Sequence, residues 1–307
     1  MFLLKKEKNK RDLKGCIMGA IIGDALGVNY ELVPRKTKKE IYLEAGKFSD
    51  DSSMILCTME SLTKLKDYSS EDIADTFLRW LYEGYWTPQG IVLDCGRTTA
   101  YSLRQYKERG TFAGDSSDNS CGNGSLMRIM PILFYINKNR DERFKIINEF
   151  SSITHPHIRC VIGCSIYSEI ALNLLDGMDK VTAYNKAKEV ILKEYKEYPE
   201  ELEVYARILN SDIYKYDEST FSGSGYIVDT LESSIYSFIN SKSYVDSIKT
   251  AISFGEDTDT IACITGGLSG LYYGFSKIPK RYIDSLDRRD DIIKLLNDFN
   301  DIYQIFN

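Results

Sequence analysis

The stretch GCIMGAIIGDALGVNYE, residues 15–31, decides the fold class. From Leu13 the apolar residues Ile17, Ala20, Ile21 and Val28 recur at three- and four-residue steps, the spacing of a helix. Gly15, Gly19, Gly23 and Gly27 fall four apart on one face of it, and Gly266, Gly270 and Gly274 repeat that stripe near the other end of the chain. A glycine inside a helix costs about 0.5–1 kcal/mol relative to alanine. Several on one face are tolerable when another helix or a ligand approaches closely, so both helices are expected to be central and buried.

Outward from this stretch the helical period persists. Met54, Ile55, Thr58, Met59 and Leu62 carry it, as do Ile73, Phe77, Trp80 and Leu81. Residues 160–175, 181–195 and 261–273 read the same way. Strand-type alternation is scarce: Tyr226 to Val228 is the best short candidate, and it equally begins a helix through Leu231, Ile235 and Phe238. The expectation is an all-α protein. The charged stretch 186–212, interrupted by Pro199, reads as a solvated outer hairpin and not as a site. Segments 110–125, 219–225 and 254–257 are rich in glycine, serine or acidic residues and read as loops, where binding groups concentrate.

The 307 residues sit near the upper limit for one hydrophobic core, which predicts a single domain over 1–307. An apolar content of 43% supplies that core. The net charge of −6 argues against a nucleic-acid surface, since phosphate binding relies on Lys and Arg. The charged start MFLLKKEKNKRDLKG lacks the pattern of a secretory signal, and no run is read as reaching the length of a membrane span, the longest candidate being 15–23. A cytoplasmic, monomeric protein with no membrane or nucleic-acid partner is the expectation. The seven cysteines form no C-x-x-C pair and read as small buried hydrophobes in a reducing compartment.

Two acidic clusters each precede a helix: FSDDSSM at 48–54 and GEDTDTI at 255–261. Asp, Ser and Thr cap helices, which accounts for either cluster alone. Together, Ser49, Asp50, Asp51, Asp257, Asp259 and Thr260 supply four carboxylates and two hydroxyls. Such an all-oxygen set suits Mg²⁺ or Mn²⁺, is large enough for two ions if the loops meet, and disfavours zinc. SCGNGSLMR at 120–128 is a glycine loop running into an apolar helix, a place where backbone N–H groups cradle phosphate, or simply a turn. THPH at 154–157 holds both histidines of the chain. Pro156 is expected in the first turn of a helix there, one histidine being explained by capping or burial.

With these segments in this order, the chain resembles the ADP-ribosylglycohydrolase family. The resemblance runs through 15–31, 48–54, LDCGRTT (93–99), CGNGSLMRIMPI (121–132), SITHPH (152–157), SGYIVDTLESSIYSF (224–238) and SFGEDTDTIACITGGLSGLYYG (253–274). A motif-bearing core over about 11–276 and a C-terminal helical extension over 277–307 follow. The resemblance implies a compact orthogonal helical bundle around a central metal cleft, with a binuclear Mg²⁺ or Mn²⁺ centre. Ser49, Asp50 and Asp51 are its implied ligands from one side, and Asp257, Asp259 and Thr260 from the other. Glu31 matches an acid near the metals and substrate, and Asp94 one that in arginine-directed members faces the scissile bond or the guanidinium; both are the implied catalytic acids. Asn123, Gly124, Ser125 and His155 match diphosphate-binding positions, and Tyr226 one on the nucleotide side.

The implied activity is metal-dependent release of ADP-ribose from a protein side chain, arginine first because a carboxylate at Asp94 pairs bidentately with guanidinium. Serine-linked, polymeric or small ADP-ribosyl compounds are the alternatives, and a non-catalytic ADP-ribose binder is the rival from another class. A helical nucleotide pyrophosphohydrolase is a further rival, but such enzymes carry their metal acids as E-x-x-E on helix faces. Three residues depart from the family pattern: Ser49 stands for the usual Thr, Cys95 for an apolar residue, and Glu256 for a glycine.

Overall fold

A computed structural model of the chain describes residues 13–92 and 94–304. The charged segment at the start of the chain therefore lies outside the described residues, as does Leu93 of the LDCGRTT motif. Fifteen α-helices occupy the described residues, and no strand occurs among them. In chain order they are α1 (Leu13–Gly27), α2 (Asp50–Leu65), α3 (Ser70–Glu83), α4 (Arg97–Arg109), α5 (Met130–Lys138), α6 (Arg143–Ser152), α7 (Ile158–Leu175) and α8 (Lys180–Glu194). Then come α9 (Pro199–Val204), α10 (Ala206–Leu209), α11 (Ile227–Asn240), α12 (Tyr244–Ser253), α13 (Thr258–Tyr273), α14 (Lys280–Asp284) and α15 (Arg289–Tyr303). The all-α expectation is met.

Two helices that are apolar on every face form the centre, as a fully buried helix must. Every residue of α1 except Lys14 is buried, and α13 is buried from Thr258 to Leu271. They run antiparallel. A Cβ placed on Gly19 would stand 2.3 Å from the carbonyl oxygen of Gly266, one on Gly23 2.1 Å from that of Ala262, and one on Gly27 2.4 Å from that of Thr258. Reciprocally, a Cβ on Gly270 would stand 1.9 Å from the oxygen of Gly15. The glycine stripes thus serve helix–helix contact along a seam that runs the full length of α1. Gly274 is the exception, lying outside the seam at the C-cap of α13 with φ of 92°.

The seam's antiparallel sense has a direct consequence. It sets the last turn of α1 beside the first turn of α13, so residues more than two hundred positions apart share one end of the core. The remaining helices enclose this pair. α12 and α11 pack on α13, α2 packs on α3 and α15, and α7 packs on α8. Part of the expected C-terminal extension is therefore tied to the motif-bearing core, through α15 against α2.

One open alternative is decided and three sequence expectations are amended. Tyr226 to Val228 belongs to the start of α11, with Tyr226 as its N-cap, and pairs with the glycine loop through one isolated antiparallel bridge to Gly122. Pro156 precedes the cap of α7 and is not in its first turn: the imidazole Nδ1 of His157 accepts from the Arg159 N–H at 3.1 Å and takes the cap itself. The stretch 186–212 is less solvated than its charge suggests, since Tyr205 is fully buried and Glu201 forks with Arg159 at 2.8 and 3.0 Å. Finally, α7 is long and apolar enough to cross a membrane by length and composition, with 18 residues; 89% of it is buried inside the fold, as in a core helix.

Candidate active site

Three helix ends meet at the site. The C-terminal turn of α1 brings Asp24, and the N-terminal turns of α2 and α13 bring the two acidic clusters. Asp24 is fully buried and accepts the backbone N–H groups of Ser49 at 3.1 Å and Ser52 at 3.0 Å, together with the Ser52 hydroxyl. It thereby holds the first turn of α2. Ser49 caps that helix: its hydroxyl accepts from the Asp51 N–H at 3.2 Å and donates to Asp51 Oδ2 at 3.1 Å. From the far side of the chain, the Thr260 hydroxyl reaches Asp51 Oδ2 at 3.3 Å. The two clusters therefore converge, and carboxylate oxygens of Asp24, Asp51 and Asp259 lie within 4.8 Å of one another.

So many carboxylates in one buried place repel. Burial raises the pKa of Asp24, against hydrogen bonds from Ser52 and Ser49 that lower it. Asp50 is pushed up to about 8, first by burial and then by Asp94, Asp24 and Asp257. Burial, with Asp259 next, lifts Asp51 well above the carboxylate range, and burial with Asp257 does the same to Asp259. Glu31, half-buried at the edge, is raised by desolvation and by Asp94. Asp259 Oδ1 is buried with no hydrogen-bond partner. A crowded all-oxygen set with an orphaned carboxylate oxygen, facing the positive ends of two helix dipoles, fits a hard divalent cation.

Above this floor opens a cleft of about 530 Å³. Of the residues expected from the sequence, Glu31, Asp50, Asp94, Asn123, Gly124, His155, Asp257, Asp259 and Thr260 line it. Ser49, Asp51, Ser125 and Tyr226 do not. Ser49 and Asp51 lie under the floor in the capping network already described. Ser125 turns its hydroxyl inward, where the Ser151 hydroxyl donates to it at 3.0 Å and Cys164 Sγ lies at 3.5 Å, so its side chain serves the loop's shape. Tyr226 is half-buried beside Arg159, which is fixed by Glu201.

The wall opposite the carboxylates is built from donors. The glycine loop is pinned to the start of α11 by Asn123 N–H to Gly225 oxygen and Ile227 N–H to Cys121 oxygen, both at 3.1 Å. The Asn123 amide then donates to Asp257 Oδ2 at 2.6 Å and to the Thr230 hydroxyl at 2.9 Å, coupling the two walls. A Cβ on Gly124 would stand 2.6 Å from His155 Cε1, so glycine is what lets the imidazole lie against this loop. Burial and the charge of Arg128 hold His155 down to about 3, a neutral ring.

Sequence reasoning missed Asp24, Arg128 and Thr154. Asp24 had a signal, being the lone carboxylate in an otherwise apolar glycine helix. Arg128 had none visible beyond sitting in the apolar run after the loop. The rim carries a further surprise. Glu256 adopts a left-handed conformation at φ 58°, next to Gly255 at 79° and facing Leu32 at 58°. The Leu32 N–H donates to the Glu256 oxygen at 2.7 Å and the Glu256 N–H to the Val33 oxygen at 3.0 Å. A position at which this family pattern has glycine is thus one whose backbone favours glycine.

The sequence profile described as ADP-ribosylglycohydrolase matches residues 5–306. The chain belongs to the ADP-ribosylglycohydrolase family. It is an enzyme of that class, a hydrolase of glycosidic bonds. It is 27% identical over 305 residues to an ADP-ribosylarginine hydrolase, Tri1, of Serratia proteamaculans, covering 95% of this chain and 80% of that one. It is 24% identical to the ADP-ribosyl-[dinitrogen reductase] glycohydrolase of Rhodospirillum rubrum, covering 90% of each. Among solved structures, an ADP-ribosylglycohydrolase-related protein complex superposes with a TM-score of 0.79 at 25% identity, covering 97% of this glycohydrolase and 100% of that chain.

Proposed function

We propose that this glycohydrolase releases ADP-ribose from ADP-ribosylated arginine side chains of a protein, using two Mg²⁺ or Mn²⁺ ions held by Ser49, Asp50 and Asp51 on one side and Asp257, Asp259 and Thr260 on the other. The observation that carries this reading is the pairing, within one cleft, of an acceptor-only carboxylate floor with a donor-lined wall. ADP-ribose presents matching halves: ribose hydroxyls suited to cations and a diphosphate suited to N–H donors. When bound, the ions would orient the ribose and lower the pKa of an attacking water.

The chain's own groups divide the remaining work. Asp94 is exposed at the mouth, where it can pair with a guanidinium leaving group in two-point geometry. Glu31 has its pKa raised by partial burial and by Asp94, which suits a group that takes or returns a proton as the glycosidic bond breaks. Gly124, Asn123 and His155 face the diphosphate, while Ser125 and Tyr226 support the loop that carries them. Arginine linkage is favoured by the names of the similar proteins from Serratia proteamaculans and Rhodospirillum rubrum together with the carboxylate at the mouth. The test is release of ADP-ribose from arginine-, serine- and polymer-linked substrates with each metal and with chelator. Fastest turnover on the arginine linkage, lost in chelator, is the expected result. Fastest turnover on serine, or full activity in chelator, overturns it.

A further inference from the structure

We propose that Arg128 and Thr154 are positioning residues that fix His155 in the tautomer carrying its proton on Nε2, so that a neutral N–H donor faces the cleft. The inference deepens the reading of this cleft as an ADP-ribose site, and it rests on that reading for the ligand the donor serves. It follows from counting protons along a short chain of contacts.

Arg128 is fully buried, with its guanidinium 4.6 Å from the ring centroid of Phe77 and 5.2 Å from that of Phe150. Its Nη2 donates to the Thr154 hydroxyl oxygen at 2.8 Å. A guanidinium has donors and no acceptor, so this hydrogen bond runs in one direction. The same hydroxyl oxygen lies 2.7 Å from His155 Nδ1. Among the described residues Thr154 Oγ1 meets no third partner. Its single proton, excluded from the Arg128 side, therefore goes to Nδ1, and Nδ1 must be the bare nitrogen. In a neutral imidazole the proton then sits on Nε2. The pKa of His155, held down to about 3, keeps the ring neutral.

Nε2 points at the glycine loop. A Cβ on Gly122 would lie 3.8 Å from it and one on Gly124 3.2 Å, and His155 lines the cleft. No protein acceptor meets Nε2 among the described residues, so this N–H is reserved for a ligand oxygen. The arrangement serves an anionic oxygen well. A neutral donor costs less to bury than an imidazolium, and polarisation by Arg128 strengthens it.

The experiment uses the full-length enzyme and its Thr154→Val and Thr154→Ser variants. The two histidines make ¹⁵N-edited NMR of the imidazoles tractable, with His155→Gln assigning the signals. In ligand-free wild type and Thr154→Ser, His155 should show a bare Nδ1 and a protonated Nε2, whereas Thr154→Val should show a mixture. Binding of ADP-ribose by calorimetry should weaken about 3- to 10-fold in Thr154→Val, the worth of one hydrogen bond. Thr154→Ser should restore it, and the loss should appear in KM more than in kcat. A wild-type His155 protonated on Nδ1, or a Thr154→Val variant with wild-type tautomer and affinity, overturns the relay. Because the tautomer is read without ligand, a wild type with the expected tautomer that binds no ADP-ribose would instead sink the functional reading and with it the donor's role.

Discussion

The two walls of the cleft are made from similar local material and end with opposite chemistry. Each is a short polar loop ahead of an apolar helix. On the carboxylate side, the first turns of α2 and α13 supply acids whose pKa values are raised by burial first and by mutual repulsion second, at Asp50, Asp51 and Asp259. On the loop side, glycines let a neutral His155 approach, and a buried arginine lies behind it. Each wall is incomplete alone. The acids lack positive charge and the donors lack an acceptor, and a ligand carrying both cations and a diphosphate supplies what each is missing. Asn123, bonded to Asp257 at 2.6 Å, holds the walls in register.

The largest effect is expected on the acidic side. Asp50→Ala and Asp259→Ala should each reduce metal-dependent release of ADP-ribose by at least about 100-fold. Circular dichroism should show unchanged helicity. Activity within a few-fold of wild type in both variants would make these acids ordinary helix caps. The seam that aligns the walls is tested next. Gly19→Ala places a methyl group 2.3 Å from a backbone oxygen, and should cost at least about 1–3 kcal/mol by overpacking. Thermal denaturation measures it, and an unchanged Tm would mean that α1 and α13 are not in contact there.

A pH series sharpens the contrast between the walls. Asp50 has a folded-state pKa of about 8 against an ordinary 3.8, so between these values the folded protein holds a proton that the unfolded chain releases. That stability is complete below about 3.8 and is lost as pH rises through 8. His155 has the opposite sign: its pKa drops from 6.5 to about 3 on folding, so it removes stability as pH falls below 6.5. Between pH 6.5 and 8 His155 no longer contributes, while Asp50 still loses stability. In chelator, Tm should fall across that window, and saturating Mn²⁺ should raise Tm more at pH 8 than at 6.5. A gap that does not widen with pH contradicts the crowding of carboxylates. The smallest effect belongs to the rim. Glu256→Gly relieves a left-handed backbone, partly offset by the greater freedom of glycine in the unfolded chain, and should stabilise by about 0.5–1 kcal/mol. A lower Tm would show that the Glu256 side chain contributes more than its backbone strain costs.

Much of this was legible in the sequence because it rests on local pattern. Helical period and the glycine stripes mark α1 and α13, and the runs of Asp with Ser or Thr mark helix starts. The antiparallel sense of the seam was not legible, since a stripe of small residues permits either direction. Asp24 escaped for a related reason: its partners, the backbone N–H groups of Ser49 and Ser52 and the Ser52 hydroxyl, sit at the start of another helix, and the order of residues does not show which helix that is. That the Ser125 hydroxyl turns inward was not legible, because a motif gives an order of residues and not the direction each side chain takes. The burial of Tyr205 and the half-buried ion pair of Glu201 within 186–212 were hidden by a composition dominated by solvated charge.

The central claim is that the ends of α1, α2 and α13 form one cation-holding floor. Crystals grown in MnCl₂ and measured at the manganese absorption edge test it directly. Anomalous peaks are expected between the Asp50–Asp51 pair and the Asp257–Thr260 turn, within bonding distance of their oxygens. Well-ordered crystals with manganese bound elsewhere and none at this floor would contradict it.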